Sequence, residues 1–219
     1  MPNEFIGLAA AALYPLAALV SVEGQTGVTL LLMLAAGTWY VLTPRASISD
    51  AAITVFGAAY TGLLFSSVVV IRASYLGTEG ALLTLGVMGS VWVNDATAYI
   101  FGSQFGKHKM APKLSPKKSV EGGIGGIVGA ALLGAIFAVA ANKITGAGVN
   151  PAQYAVICGV GGMISQIGDL AASAIKRNHD IKDYGKLIPG HGGILDRFDS
   201  VIFTAPIIYY LATFLAGRL

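Results

Sequence analysis

The residues best suited to chemistry lie in one short polar segment, Lys176–Asp199. It begins with Lys-Arg, continues through Lys-Asp, and reaches Pro-Gly-His-Gly-Gly shortly before two further aspartates. Lysine and arginine donate hydrogen bonds to phosphate oxygens, and glycines let backbone amides approach an anion closely. Aspartates are the hard oxygen ligands that Mg²⁺ takes together with phosphates. This pattern predicts metal-assisted phosphate chemistry, whereas a solvated basic loop beside a membrane has no need of acids at fixed spacing.

Two further aspartates, Asp95 and Asp169, fall inside apolar stretches of the sequence. An ionised carboxylate in hydrocarbon is costly, so such a residue usually faces a cavity, a partner or a metal. Ser165, Asp169, Ser173 and Lys176 are spaced four, four and three residues apart, which puts them on one helix face. We expect a polar stripe that rises toward the basic end of this helix and lines a funnel. Two alternatives remain open for Asp169: a structural ion pair with Lys176 or Arg177, and a proton relay in a transporter.

A second polar segment, Gly102–Gly123, is also basic. Lys117 and Lys118 follow Ser-Pro and stand ahead of Gly122-Gly123, a pair that predicts a turn. Two adjacent ammonium groups suit a triphosphate, and contact with anionic lipid is an equally good interpretation. The sequence has no zinc-ligand spacing, Ser-His-Asp arrangement or Walker loop, and we expect no nucleic acid partner.

The elements that must position these residues are membrane helices. The 219-residue chain is 55% hydrophobic and 11% charged, whereas soluble domains carry about 25% charged residues. Apolar runs recur near the length of roughly 20 residues that a helix needs to cross a bilayer. We therefore predict an all-α, polytopic transmembrane bundle of about seven spans. These spans are Phe5–Val20, Gly27–Leu42, Ala51–Ile71, Ala81–Phe101, Ile124–Ala141, Ala152–Ile175 and Val201–Ala216.

The distribution of lysine and arginine predicts the orientation of the spans. If seven helices alternate in direction, eleven of the fourteen basic residues fall in one set of loops and three in the other. Loops rich in Lys and Arg remain cytoplasmic. The N-terminus and both polar segments are therefore expected on the cytoplasmic side of the cell (inner) membrane. Residues 1–80 read as an N-terminal scaffold and residues 81–219 as the catalytic region.

The polar segments resemble the sequence signature of the phosphatidate cytidylyltransferases, or CDP-diacylglycerol synthases. The C-terminal motif matches at every spacing and comprises Ser173, Lys176, Arg177, Lys182, Asp183, Gly185, Pro189, His191, Gly192, Gly193, Asp196, Arg197 and Asp199. Asn94-Asp95, Ser115-Pro116-Lys117-Lys118-Ser119 and Gly168-Asp169 resemble further motifs of the family. The resemblance covers the C-terminal half of the chain, while the N-terminal spans match in hydropathy.

The resemblance implies an enzyme that transfers CMP from CTP to phosphatidic acid, releasing pyrophosphate and CDP-diacylglycerol for phospholipid biosynthesis. It implies Mg²⁺ as cofactor, a second cation such as K⁺ beside it, and a homodimer. The metal-binding acids of the family match Asp169 and Asp196. The expected catalytic residues are Asp169, Asp196, Lys176 and Arg197. The expected substrate-binding residues are Asn94, Asp95, Ser115, Lys117, Lys118, Ser173, Arg177, Lys182, His191, Gly192, Gly193 and Asp199.

Three other functions are alternatives to this one. A CTP-dependent polyprenol kinase and a CDP-archaeol synthase would share the polar loops and differ in reaction or acceptor lipid. A cation transporter would explain Asp95 and Asp169, but it would not explain the Gly-His-Gly-Gly segment with its acids.

Overall fold

A computed structural model describes residues 1–75, 77–187 and 192–216 and divides the chain into two compact units, Met1–Tyr75 and Leu76–Leu219. The first unit contains α1 (Glu4–Val20), α2 (Val22–Leu42), α3 (Ile48–Ala58) and α4 (Leu64–Ser74). A five-residue π-helical segment, Ala59–Leu63, joins α3 to α4 in one rod.

The N-terminal unit is built from helices with well-defined starts. Asn3 caps α1, Ser21 caps α2, and Ser47 forms a reciprocal capping box with Asp50 at the start of α3. Such caps satisfy backbone amides that have no partner within the helix. Tyr14 is fully buried and its hydroxyl lies 3.0 Å from that of Thr29, which ties α1 to α2.

The second unit consists of four long helices and a short β-hairpin. The helices are α5 (Gly77–Phe105), α6 (Val120–Thr145), α7 (Pro151–Asn178) and α8 (Leu195–Leu215). Each packs against the next along the chain, and α7 contacts α5, α6 and α8. A side chain on α7 can therefore meet groups from every other helix of this unit.

Glycines allow α5 and α6 to approach closely. A Cβ atom on Gly126 would lie 2.5 Å from Asn94 Oδ1, and one on Gly122 would lie 2.7 Å from the Ala98 carbonyl oxygen. Small residues serve this purpose in membrane helix pairs. The turn predicted at Gly122-Gly123 is wrong, since both glycines lie in the first turns of α6.

The hairpin occupies part of the segment between α5 and α6. Strand β1 (Lys109–Ala111) pairs antiparallel with β2 (Ser115–Ser119), and β2 leads directly into α6. The Glu121 carboxylate accepts hydrogen bonds from the backbone amides of Lys107 and His108 and from the His108 ring. These contacts fix the start of the hairpin against the first turn of α6.

Five helical segments of the described residues are long and apolar enough to cross a membrane. They are Val22–Leu42, Ile48–Ser74, Val120–Thr145, Pro151–Asn178 and Leu195–Leu215. The apolar α1 is shorter, at 17 residues, and α5 is less apolar because Asn94 and Asp95 interrupt it. The chain is thus an all-α, multi-pass membrane bundle, as predicted, with five clear spans and two further apolar helices.

Candidate active site

Asp169 on α7 lies at the centre of the predicted polar face. Its side chain is 31% exposed, and Oδ2 pairs with the ammonium group of Lys118 from strand β2. The other carboxylate oxygen accepts no hydrogen bond from any residue the structure describes. Asp169 therefore keeps one oxygen available while the other holds the hairpin.

A cavity of about 330 Å³ opens beside this carboxylate. It is bounded by α5, the hairpin, the first turns of α6, and α7. Its walls include Asn94, Asp95, Tyr99, Met110, Lys117, Lys118, Ser119, Gly122, Gln166 and Asp169. Five residues predicted from the sequence as site residues thus line one space, and both lysines of the Ser-Pro-Lys-Lys motif are among them.

A network of amide groups forms the inner wall of this cavity. The Gln166 side-chain nitrogen donates to Asn94 Oδ1 at 2.8 Å and to the Gly123 carbonyl oxygen at 2.9 Å. The Asn94 nitrogen in turn donates to Asp95 Oδ1 at 3.3 Å. Gln166 therefore connects α5, α6 and α7 one turn before Asp169.

A second group of charges lies at the junction of α7 and α8. Lys176 Nζ is 2.9 Å from Asp196 Oδ1 and 3.7 Å from Asp199 Oδ2. The Asp196 side chain is only 4% exposed, and its Oδ2 accepts from the backbone amides of Tyr184 and Gly193. The Tyr184 ring centroid lies 5.2 Å from Lys176 Nζ, a cation–π distance.

The glycines of the C-terminal motif bring the backbone to Asp196. Gly192 has a φ of +80°, a conformation that glycine adopts without strain. A Cβ atom on Gly193 would lie 2.9 Å from the amide nitrogen of Gly185. A larger residue at either position would shift the Gly193 backbone amide, which donates a hydrogen bond to Asp196.

Electrostatic interactions link the two charged groups. Asp169 interacts through space with Asp95 on one side, and with Asp199 and Lys176 on the other. Acidic and basic side chains from α5, β2, α7 and α8 thereby form one charged cluster with Asp169 at its centre.

The remaining predicted residues differ in burial and in their positions along the chain. Ser173 is half-buried one turn after Asp169, and Ser115 begins β2. Arg177, Lys182 and Arg197 are exposed. His191 lies outside the described residues.

Gln166 and Tyr184 contribute to the site but were not predicted from the sequence. Gln166 has no charge and stands in a helix otherwise rich in small residues, so its type gives no signal of its role. Tyr184 lies in an irregular segment, and its neighbours Asp183 and Gly185 belong to the recognised motif although Tyr184 itself does not. The one available signal for Gln166 was its spacing of three residues before Asp169, which places both on one helix face.

Within the described residues, no three or more His, Cys, Asp or Glu side chains are close enough together to form a metal site by themselves.

Sequence comparison shows which known proteins this chain is similar to. The sequence profile described as the Cytidylyltransferase family matches residues 3–215. A phosphatidate cytidylyltransferase of Bacillus subtilis is 36% identical over 157 residues, which is 70% of this chain and 55% of that protein. A phosphatidate cytidylyltransferase of Staphylococcus epidermidis is 38% identical over 167 residues, or 76% of this chain and 61% of that protein.

The Staphylococcus aureus protein of the same name is 36% identical over 167 residues and is likewise matched over 61% of its length. The chain thus spans somewhat more than half the length of the curated relatives it matches. The family profile, in contrast, covers nearly every residue from the first helix to the last. This chain therefore belongs to the cytidylyltransferase family.

Proposed function

We propose that this chain transfers CMP from CTP to phosphatidic acid, giving CDP-diacylglycerol and pyrophosphate. The relatives that bear the name phosphatidate cytidylyltransferase support this activity over 70% to 76% of the chain. The observation that carries the proposal is the position of Asp169, whose carboxylate faces a lysine-lined cavity and interacts with a second ion cluster. Such a site suits a reaction between two anions at a membrane surface.

In the proposed reaction, a phosphate oxygen of the lipid attacks the α-phosphorus of CTP. The new P–O bond forms as the bond to the β-phosphate oxygen breaks, and pyrophosphate leaves in line. Phosphatidic acid is already ionised near neutral pH, so no protein nucleophile is required. Catalysis then consists of positioning and charge stabilisation by the chain.

The basic residues of the two segments divide between the substrates in this proposal. Lys117 and Lys118 line the cavity and hold the triphosphate, assisted by Arg197 at the start of α8. Lys176 and Arg177 take the lipid phosphate. Lys176 donates one hydrogen bond, to Asp196, and its ammonium group has further donors for the lipid phosphate.

The residues present fit a hard divalent cation such as Mg²⁺. One oxygen of Asp169 accepts no hydrogen bond from the described residues, and the side chain faces the cavity. Mg²⁺ typically takes one or two carboxylates together with substrate phosphates. Asp196, the other expected ligand, would have to release Lys176 from Oδ1. When bound, the metal would neutralise negative charge on the phosphates, and a second cation such as K⁺ would add to this effect.

The decisive assay uses purified protein, phosphatidic acid and CTP labelled in the cytosine ring, with Mg²⁺ or with a chelator. Label that appears in the lipid fraction, and pyrophosphate that appears in solution, are the expected products. Labelled CDP would instead identify a CTP-dependent kinase, and transfer only to archaeol phosphate would identify a CDP-archaeol synthase. Cation flux without CTP turnover would identify a transporter. The names of the relatives favour none of these alternatives.

Asp169→Asn tests the central carboxylate within the same assay. The substitution preserves shape and removes the charge, so we expect CMP transfer to fall by about 100-fold or more while the protein still folds. Asp180→Asn is the matched control, because Asp180 is exposed and its φ of 54° suits asparagine. Wild-type turnover by Asp169→Asn would remove Asp169 from the mechanism.

The proposed setting of the reaction is the cytoplasmic face of the inner membrane, where CTP is available. The proposal includes a homodimer, which light scattering of the detergent-solubilised protein would detect.

A further inference from the structure

A second cavity, of about 210 Å³, lies between α5, α6 and α7 and is separate from the charged site. Its walls are almost entirely apolar and include Gly89 and Val93 from α5, Leu133 and Phe137 from α6, and Cys158 from α7. None of these side chains takes part in the proposed chemistry. The cavity is therefore space that the close packing of a helix bundle would normally fill.

One side of this cavity is open at the outer surface of the helix bundle. Leu85 on α5 and Leu133 on α6 belong to its lining and are 57% and 42% exposed. On a membrane-spanning bundle, exposed leucines of this kind contact lipid chains, which are as apolar as leucine itself. A hydrocarbon chain can therefore enter sideways without crossing a polar barrier.

The apolar cavity and the charged site share the same three helices and lie close to one another. A Cβ atom on Gly162 would lie 3.1 Å from Ala130 Cβ, in the apolar cavity, and 3.2 Å from Asn94 Oδ1, in the charged one. A single layer of side chains thus separates the two spaces.

The far end of the apolar cavity, at Cys158, lies about one lipid-chain length from Asp169. Cys158 precedes Asp169 by eleven residues on α7, which corresponds to about 16 Å along the helix. One leaflet accounts for about half of the roughly 30 Å hydrocarbon core, so an acyl chain reaches about 15 Å from its headgroup.

We infer that this cavity receives one acyl chain of the lipid whose phosphate reacts beside Asp169. The inference rests on the proposed function, because it takes the acceptor to be a diacyl lipid phosphate. Lipid tails and cavity walls are equally apolar, so binding gains little from the hydrophobic effect and depends on shape. The cavity consequently selects for chain length and does not supply much affinity.

Gly89→Leu tests the inference by filling the cavity. Gly89 lines the cavity, and a Cβ atom there meets no other atom within 4 Å, so the added side chain starts without a clash. The readout is the ratio of kcat/KM for dipalmitoyl to dioctanoyl phosphatidic acid in mixed micelles. We expect this ratio to fall about tenfold, the low end of the discrimination that apolar pockets achieve, while the short-chain lipid is still used.

Gly37→Leu is the matched control, because Gly37 lies within a helix of the other unit and also has no atom within 4 Å of its Cβ position. It should leave the chain-length ratio unchanged. An unchanged ratio in Gly89→Leu, or an equal loss with both lipids, overturns the inference. If Gly89→Leu does not fold, Leu133→Ala enlarges the same cavity and should raise the ratio, and no rise there overturns the inference as well.

A labelling experiment separates failure of this inference from failure of the proposed function. Phosphatidic acid with a diazirine near the end of one acyl chain should label Val93, Leu133 or Phe137, whether or not the lipid is turned over. Phosphatidylcholine with the same diazirine should label these positions much less. Turnover without such labelling, or equal labelling by both lipids, refutes the acyl-chain site and leaves the enzyme activity intact. Labelling without CMP transfer refutes the proposed reaction alone.

Discussion

Asp169 and Asp196 are both aspartates of the same charged site, but their surroundings differ. Asp169 is partly exposed, and one of its oxygens accepts no hydrogen bond in the described part of the chain. Asp196 is buried and accepts from Lys176, Tyr184 and Gly193. Removing one partner of a buried ion pair costs about 3–5 kcal/mol, so Asp196 also holds the segment between α7 and α8 in place.

Gln166 acts in the same region without carrying a charge. The Gln166 side-chain nitrogen donates one hydrogen bond to Asn94 on α5 and one to Gly123 on α6. Its replacement would leave two buried acceptors without their donor. We therefore regard Gln166 as a positioning residue that fixes the distance from α5 and α6 to Asp169.

Gln166→Leu is expected to lower the free energy of unfolding by about 2 kcal/mol, since buried acceptors lose their donor. It should also lower kcat for CMP transfer more than it raises KM for CTP. Thermal unfolding and steady-state kinetics measure the two effects. Gln153→Leu is the control on the same helix, where one bond of 3.3 Å to the Leu215 carbonyl is lost. Equal effects of the two substitutions would deny Gln166 a special role.

Charged residues of the site could be predicted from the sequence because their types are costly in a membrane. Asp169 and Lys118 interrupt or border apolar stretches, and that cost requires a reason. Neutral amides such as Gln166 carry a smaller cost, so nothing in the pattern distinguishes a structural from a functional glutamine. The assignment of individual ligands, such as Asp196, remains a prediction.

The hairpin is the element that brings cations to the cavity. Lys118 reaches Asp169 from β2, and Lys117 lines the same space. The sequence did not predict these strands, because Lys, Ser and Pro are poor strand formers. Packing on the ends of α5 and α6 and the clamp at Glu121 decide the conformation instead.

Lys117→Ala should raise KM for CTP about tenfold and leave KM for phosphatidic acid nearly unchanged, because a single charge-assisted phosphate contact is lost. Initial rates with each substrate varied in turn provide the measurement. Lys113→Ala is the control, as Lys113 is exposed in the hairpin turn and lies outside the cavity lining. A change confined to the lipid KM would mean that the two basic segments serve the opposite substrates.

The start of α6 illustrates how glycine can mislead a sequence-based prediction. Gly122 and Gly123 suggested a turn, since glycine tolerates unusual dihedral angles. In the structure they lie in the helix, where the lack of a side chain permits contact with α5. Both interpretations follow from the absence of a Cβ atom, and only the position of a neighbouring helix separates them.

At the scale of the whole molecule, hydropathy predicted the bundle well because the bilayer imposes one length on every span. The last three predicted spans coincide with α6, α7 and α8, which begin four, one and six residues before the predicted starts. Hydropathy indicates a membrane span less clearly for α5, because this helix contains the polar residues Asn94 and Asp95, which line the cavity. The orientation across the membrane remains a prediction.

Two single cysteines test that orientation. Lys113→Cys and Ala147→Cys lie near opposite ends of α6 and are both exposed. A membrane-impermeant maleimide should label position 113 only from the cytoplasmic side and position 147 only from the other side. The wild type is the control, because its single Cys158 is 3% exposed and should stay unlabelled. The reverse pattern would place both polar segments outside the cytoplasm.

The junction between β2 and α6 has no connecting residues, because one element ends at Ser119 and the other begins at Val120. The Ser119 hydroxyl accepts from the Gly122 amide and so caps the helix. Any outward swing of the strands would pull on this bond and fray the membrane helix at its first turn. Deuterium uptake at the Gly122 amide therefore measures how often the hairpin moves away from the cavity, and it can be compared with and without nucleotide.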